Sequence, residues 1–416
     1  MRKLALGLVA ACATVALVSV AFGAPGKLDR SFSGNGWRTT DFLGHNDTGL
    51  DVAVQDNGRV VVAGLTRLRG SERDFALARY RRNGRADRSF SSDGKLHTAL
   101  NDFGDEQAES ITLQPNGRLL AAGVTTRRSR NFAVVRYRRD GRLDDSFSGN
   151  GKKVTNFGGE DTAADAAVGR SGRIVVAGTT TTGTDDDFAV ALYNQRGKLA
   201  RKFTSSGNGS VELGDASAVE LRPNGRILVA GTAGIPGTSV FAVARFTPGG
   251  QLDPSFGEAG IATFDIPARA RDFLTSMAVR NGRILLGGAT RTGDGPADFA
   301  LARLNAGGHV DTSFSDDGWT TIDFGGHDDY LWDLTVQTNG KVVAVGGTAG
   351  DAVIARLRKN GALDRSFSGN GRYVLPKPGE ARSFHGVALA PDGRIVVGGT
   401  KFVRFEGDLL AARFRD

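Results

Sequence analysis

The side chains here that could do chemistry are carboxylates, guanidinium groups and imidazoles, and most of them recur in fixed company. Asp29, Asp87, Asp144, Asp253, Asp311 and Asp364 each open an Asp-x-Ser-Phe run. A carboxylate could hold a metal or move a proton, but next to a serine in a turn it is expected to accept backbone N–H bonds. Arg79, Arg136, Arg245, Arg303, Arg356 and Arg413 recur as well. A ligand contact rarely needs six equivalents, so these arginines are expected to pair with a repeat acid or to cap exposed carbonyls.

The five histidines show no H-x-H or H-E-x-x-H spacing. His45 and His327 share a setting, Gly-His-Asn-Asp and Gly-His-Asp-Asp, which duplication explains. Thr184-Asp185-Asp186-Asp187 lacks the spacing and glycine of a calcium loop, so a solvated loop is the better reading. No metal or cofactor is expected. Cys12 is the only cysteine. If it is removed with a leader, thiolate catalysis, disulfides and Cys-ligated metals go with it.

Behind these residues lies a repeat. Phe32, Phe90, Phe147, Phe203, Phe256, Phe314 and Phe367 follow one another at intervals of 53 to 58 residues. A period of that size means stacked supersecondary units. Residues 50 to 103 show one unit. Leu50 to Gln55 is a strand candidate (A) and Asp56-Asn57-Gly58 a turn. Arg59 to Gly64, with three consecutive valines, is a buried strand (B). Asp74 to Tyr80 is a third strand (C). The Asp87 motif then leads to a fourth, Lys95 to Phe103 (D). Strand B ends in Ala-Gly or Gly-Gly in every copy, and no window has a capped 3.6-residue apolar period.

Four strands in each of seven units predict an all-β fold, a seven-bladed β-propeller of four-stranded antiparallel blades. The chain opens with a D strand, Trp37 to Phe42, and closes on a C strand. The N-terminal strand is therefore expected to complete the last blade. An open solenoid is the alternative. Each motif Phe is expected to be a buried plug.

The pattern Leu-Asp-x-Ser-Phe-x-x-x-Gly, then Asn/Asp-Gly-Arg-Ile-Val-Val-Ala-Gly, then Phe-Ala-x-Ala-Arg-Tyr, resembles the delta-60 repeat family over residues 27 to 414. The resemblance implies exported or surface bacterial proteins with propeller-like repeats, and no catalytic residue. The third copy departs from it: Leu192 replaces the arginine and Lys202-Phe203 replaces Ser-Phe, so that corner is expected to pack differently. Ser315-Asp316-Asp317-Gly318-Trp319 is similar to the Asp-box of sialidase-type propellers, a fold staple remote from catalysis.

Residues 1–23 have the form of a signal peptide, with Arg2 and Lys3 before an apolar run and a cut expected before Ala24. The competing readings are an uncleaved anchor and a lipoprotein lipidated at Cys12. Residues 24–416 are expected to form one domain, secreted or at the cell surface, with no membrane span and monomeric. The net charge, +8 over the whole chain, lacks the concentrated stripe that nucleic-acid binding requires.

No nucleophile–base pair emerges from motif spacing. A non-catalytic binding or surface-interaction scaffold is therefore favoured, with a protein or glycan partner; the alternative is an exported lyase or hydrolase. In a four-stranded meander the A–B and C–D connections share one face, and the B–C and D–A connections share the other. The first face is built by the repeat. The second varies, and its candidate ligand residues are Arg67, Arg69, Arg73, Arg127, Arg128, Arg130, His45, His327, Asp328 and Tyr330.

Overall fold

The computed structural model describes residues 24–416 apart from 43, 45, 68–71, 102, 103, 208–210, 236, 237, 267–270, 376–379, 404 and 405. The expected signal over 1–23 lies outside the described residues, as do His45 and Arg69. Among the described residues every regular element is a strand.

The first unit runs β2 (Asp47–Val54), β3 (Val60–Arg67), β4 (Arg73–Tyr80) and β5 (Lys95–Thr98), preceded by β1 (Trp37–Thr40). The second has β6 (Asp105–Leu113), β7 (Leu119–Thr126), β8 (Arg130–Tyr137) and β9 (Lys152–Thr155). The third has β10 (Glu160–Val168), β11 (Ile174–Thr182), β12 (Asp185–Tyr193) and β13 (Leu199–Ser205). The fourth has β14 (Glu212–Leu221), β15 (Ile227–Ile235), β16 (Thr238–Phe246) and β17 (Ile261–Phe264). The fifth has β18 (Arg271–Arg280), β19 (Arg283–Arg291), β20 (Ala297–Leu304) and β21 (Trp319–Ile322). The sixth has β22 (Asp329–Val336), β23 (Val342–Thr348), β24 (Asp351–Leu357) and β25 (Arg372–Leu375). The chain ends with β26 (Ala381–Leu389), β27 (Ile395–Val403) and β28 (Glu406–Phe414).

Each unit is an antiparallel meander in chain order. The fourth and fifth form one eight-stranded sheet only through a single parallel bridge, Ser239 to Arg271. In the last sheet the order is β1-β28-β27-β26, with Trp37 opposite Ala412 and Thr40 opposite Leu409. The N-terminal strand thus covers an edge that would otherwise bare its N–H and C=O groups. The innermost strands touch in sequence, β2 to β6 and onward to β26, and β26 touches β2 again.

The middle strands of each unit are buried on both faces, which is why strand B is an unbroken apolar run: Val60, Val61, Val62 and Ala63 are all fully buried. The core lies between neighbouring units. Phe132 and Phe147 of the second pack with Val176 and Tyr193 of the third, and Val52 of the first packs with Phe32, Val396 and Leu409 of the closing sheet. The outer strand is shorter than the expected Lys95 to Phe103. The chain leaves the sheet after Thr98, and Asn101 turns to bond Glu106 and Thr125 of the next unit.

Candidate functional site

One face is knit by the repeat itself. Asp253 Oδ1 accepts the N–H of Ser255 at 3.1 Å and its hydroxyl at 2.7 Å. Its Oδ2 takes Arg245 Nε at 3.0 Å and Arg226, the arginine of the Asn-Gly-Arg turn, at 2.6 Å. The remaining arms of Arg245 donate to Ser255 Oγ and to the Ala306 carbonyl of the next unit, and its guanidinium lies 4.6 Å over the Phe256 ring. The same arrangement holds Asp87, Asp144, Asp311 and Asp29; at Asp364 Lys341 takes the place of the turn arginine, and Arg356 reaches the Asp416 carboxylate instead of a carbonyl. Both readings of the repeated arginine are realised at once. The pairing of the turn arginine with the same aspartate was missed, although an arginine follows the A–B turn glycine in six of the seven copies, with Lys341 in the other.

The third unit lacks this clasp. With Leu192 for arginine and no aspartate in the motif, its chain continues straight into β13, paired along β12. Six motif phenylalanines are fully buried, but Phe203 is only half-buried. The expectation that all seven are plugs fails there, because no guanidinium or carboxylate folds that connection back on itself.

The opposite face joins the B–C and D–A connections. Asp105 Oδ1 accepts the N–H of Arg73, Glu160 that of Arg130, and Asp328 that of Ala297. Asp328 is thus partly a repeat staple. It also pairs with Arg291 at 2.9 Å, and Arg291 donates to the Tyr330 hydroxyl at 3.0 Å. Arg291 was not foreseen. Arg67 is half-buried at the end of β3. Arg127 and Arg128 are exposed, and no described residue pairs with either; His327 is exposed as well. The structure therefore places the basic candidates on the first two units, and Asp328 with Tyr330 on the sixth.

Between them opens the channel enclosed by the innermost strands, a cavity of about 500 Å³. Each of these strands carries a β-bulge at the same height, with the extra residue being Leu50, Glu109, Ala164, Ser217, Thr275, Trp332 or His385. A bulge re-aims side chains, and all seven of these residues line the cavity. The strand-B glycines explain how the bulge fits. A Cβ on Gly64 would sit 1.8 Å from the Thr48 carbonyl oxygen, and one on Gly346 would sit 1.9 Å from that of Tyr330.

Most of the ring is committed to holding neighbouring units. Ser217 and Thr275 each donate at 2.8 Å to a carbonyl of the next unit, of Leu274 and Leu331 respectively. His385 Nδ1 donates to the Gly49 carbonyl at 2.8 Å. The residues after three bulges work in the opposite sense: Asp51, Asp165 and Asp333 accept the N–H groups of Ile111, Val219 and Val387.

Electrostatics separates the two sets of aspartates. Burial opposes ionisation of Asp253, but the Ser255 hydroxyl and N–H and the two arginines outweigh it, and its pKa falls to about 2. In the channel burial wins. Asp165 rises to about 7 despite N–H bonds from Val219 and Ala166, with Asp333 adding repulsion, and Asp333 rises to about 6. Asp51 is pushed well up by burial and by Asp333. Glu109 rises to about 7 by burial, offset in part by Gln107 and Arg130. Burial lowers the pKa of His385.

Another repeated acid, at the start of the innermost strand, was also missed. Asp161 and Asp272 each accept a loop N–H and a strand-B threonine hydroxyl. Around Asp47 and Asp329 the fold adds further acids, gathering Asp41, Asp47 and Asp408, and Asp298, Asp323 and Asp329, each within 4.8 Å. Spacing along the chain gave no hint of either group.

Stacked antiparallel units around a channel define a repeat protein of the β-propeller type. Residues 55–90, 114–147, 170–199, 222–256, 280–314 and 337–367 match the family model described as a domain of unknown function (DUF5122) beta-propeller. Among solved structures, virginiamycin B lyase from Staphylococcus aureus is 12% identical with a TM-score of 0.52, covering 90% of this chain and 98% of that one. Polysaccharide lyase Uly1 is 12% identical with a TM-score of 0.51, covering 90% and 91%. A PL25 ulvan lyase bound to -[GlcA(1-4)Rha3S]- is 12% identical with a TM-score of 0.52, covering 90% and 95%. At such identity the likeness is one of fold. No curated protein matches the chain. Among the described residues, no helix is long and apolar enough to cross a membrane.

Proposed function

We propose that this chain is an exported, monomeric, seven-bladed propeller of the delta-60 repeat kind, its last blade closed by the N-terminal strand. It acts as a binding or surface-interaction scaffold and takes a protein or glycan on the B–C/D–A face. One observation carries this reading. The repeat's clasp aspartates and arginines on the opposite face are spent on one another, whereas exposed Arg127 and Arg128, and Glu109 and Trp332 in the channel, have surface left for a partner. The grooves between A–B turns, such as the one lined by Gln55, Arg59, Arg79 and Gln114, recur between units and are walled by the clasp residues.

A scaffold is preferred to an enzyme because the channel histidine does not meet a carboxylate. His385 faces a carbonyl and does the structural work of Ser217 and Thr275. A general base needs a proton to take and a partner that orients it for that task.

The experiment is a screen of glycans and peptides, followed by hydrogen exchange on the complex. Protection is expected at the B–C and D–A connections, and reversing Arg67, Arg127 and Arg128 to glutamate should weaken binding and flatten its salt dependence. Protection confined to the Asn-Gly-Arg turns overturns the reading. Export predicts a secreted protein whose N-terminus, by mass spectrometry, lies near Ala24.

A further inference from the structure

The ring of bulge residues divides by what the fold uses. Ser217, Thr275 and His385 are tied to carbonyls of the next unit, and Asp51, Asp165 and Asp333 are tied to N–H groups. Two large side chains carry no such bond. Trp332 is 39% exposed; one side of its ring system meets Tyr330 at 5.9 Å and His385 at 5.7 Å, and the rest is open. Phe273, two residues before the bulge as Tyr330 is, is 46% exposed on the adjacent unit. Of these aromatic side chains Trp332 lines the cavity itself, and a half-exposed indole at an opening offers a ligand an apolar surface. Across the channel, on the second unit, Glu109 is bonded to Gln107 Nε2 at 2.6 Å, and no neighbouring strand uses it.

Charge then selects the ligand. Four carboxylates line the cavity, those of Asp51, Glu109, Asp165 and Asp333, and no lysine or arginine does. Arg130 acts on Glu109 by its charge but does not line the cavity. Burial keeps these groups partly protonated near neutral pH, and as Glu109, Asp165 and Asp333 ionise above about pH 7 an anion would be repelled. A bare metal ion needs its oxygens gathered, and the acids that the fold gathers within 4.8 Å are others, Asp41, Asp47 and Asp408 among them. Dispersed carboxylates facing the indole of Trp332 suit a cation that is large, weakly hydrated and partly apolar.

We propose that the mouth of the channel binds a compact organic cation, its ammonium group held by Glu109 and its apolar body lying against Trp332. This rests on the B–C/D–A face being the ligand face and names the ligand class. The alternating small residues Ala164, Ser217 and Thr275 leave the other half of the ring open for the body to enter.

The test uses choline, benzyltrimethylammonium and 3,3-dimethylbutan-1-ol, the uncharged isostere of choline. Binding is followed by tryptophan fluorescence and by calorimetry on the full mature chain. Both ammonium ions are expected to bind saturably, and the isostere about tenfold or more weakly. Glu109→Gln and Trp332→Ala should each weaken binding by about tenfold, while Trp332→Tyr keeps most of it. Glu109→Gln should melt near the parent, since its carboxylate bonds no neighbouring strand, and so should Trp332→Tyr, which keeps an aromatic ring against Tyr330 and His385. Equal binding of choline and its isostere, an unaffected Glu109→Gln, or no ammonium binding up to about 100 mM overturns the proposal. If a neutral oligosaccharide protects the mouth in hydrogen exchange while the ammonium ions do not bind, the cation class falls and the ligand face stands. Protection confined to the A–B turns removes both.

Discussion

The clasp face and the channel use aspartate in the same way and obtain opposite results. Asp253 and Asp165 each accept backbone N–H bonds. At the first, the Ser255 hydroxyl and two guanidinium groups outweigh burial, and its pKa falls to about 2; the second is deeply buried with no cation beside it, and its pKa rises to about 7, with Asp333 adding repulsion. The N–H bonds are common to both, so burial without a compensating cation decides. The regions differ in the same way in sequence. Where the repeat is kept, the clasp aspartates and strand-C arginines are matched within the fold. Where it is broken, unmatched groups collect, and these are the ones a ligand could use.

The largest effect expected is at the closure. Deleting residues 25–43 removes β1 and bares the edge of β28, and the truncated chain should aggregate on size-exclusion chromatography. A monomer with the parent's melting temperature would break the account of the closing sheet. Next come the phenylalanines. Phe147→Ala should cost about 3–5 kcal/mol in urea unfolding. Phe203→Ala, in the one unit without a clasp, should cost about 1–2 kcal/mol. Equal losses would mean that the clasp does not bury the ring.

A smaller effect is expected from Gly346→Ala. The new methyl meets the Tyr330 carbonyl, and the bulge must shift. The cost should be about 1–3 kcal/mol, accompanied by a change in the fluorescence of Trp332. The smallest effect lies in pH dependence. A carboxylate with a depressed folded pKa contributes stability above its unfolded value of about 4, and that stability is lost as pH falls through about 2 for Asp253. A carboxylate with a raised folded pKa does the reverse. The share from Asp165 and Asp333 is full below about pH 4 and is lost as pH rises through about 6 to 7. Asp253→Asn should therefore flatten the acid limb of a stability–pH curve, and Asp165→Asn the limb between pH 4 and 7. One shared slope would erase the distinction between the two regions.

The clasp could be foreseen in the sequence because repetition marks it. Six Asp-x-Ser-Phe motifs and six strand-C arginines announce a partnership even without coordinates, and the loss of both in the third copy correctly marked the corner that packs differently. The Ala-Gly ending of strand B was equally visible, but its reason was not. The glycine faces a carbonyl on the preceding strand, and only the pairing register brings the two together. The bulge residues are hidden for the opposite reason. Leu50, Glu109, Trp332 and His385 share a position but no chemistry, so periodicity cannot single them out. The variable loops drew attention to Arg127 and Tyr330, but nothing along the chain showed that Trp332 and Glu109 face one opening.

The closing sheet also orders events during synthesis. Arg413 bonds Asp29 across 384 residues, and Leu28 bridges to Phe414. While the ribosome makes the intervening units, the N-terminal strand has no partner, and the first unit has no neighbour on its open side. Ring formation must therefore wait until the final strand is released. An emerging chain would carry two sticky edges throughout, a condition that favours chaperone capture before closure.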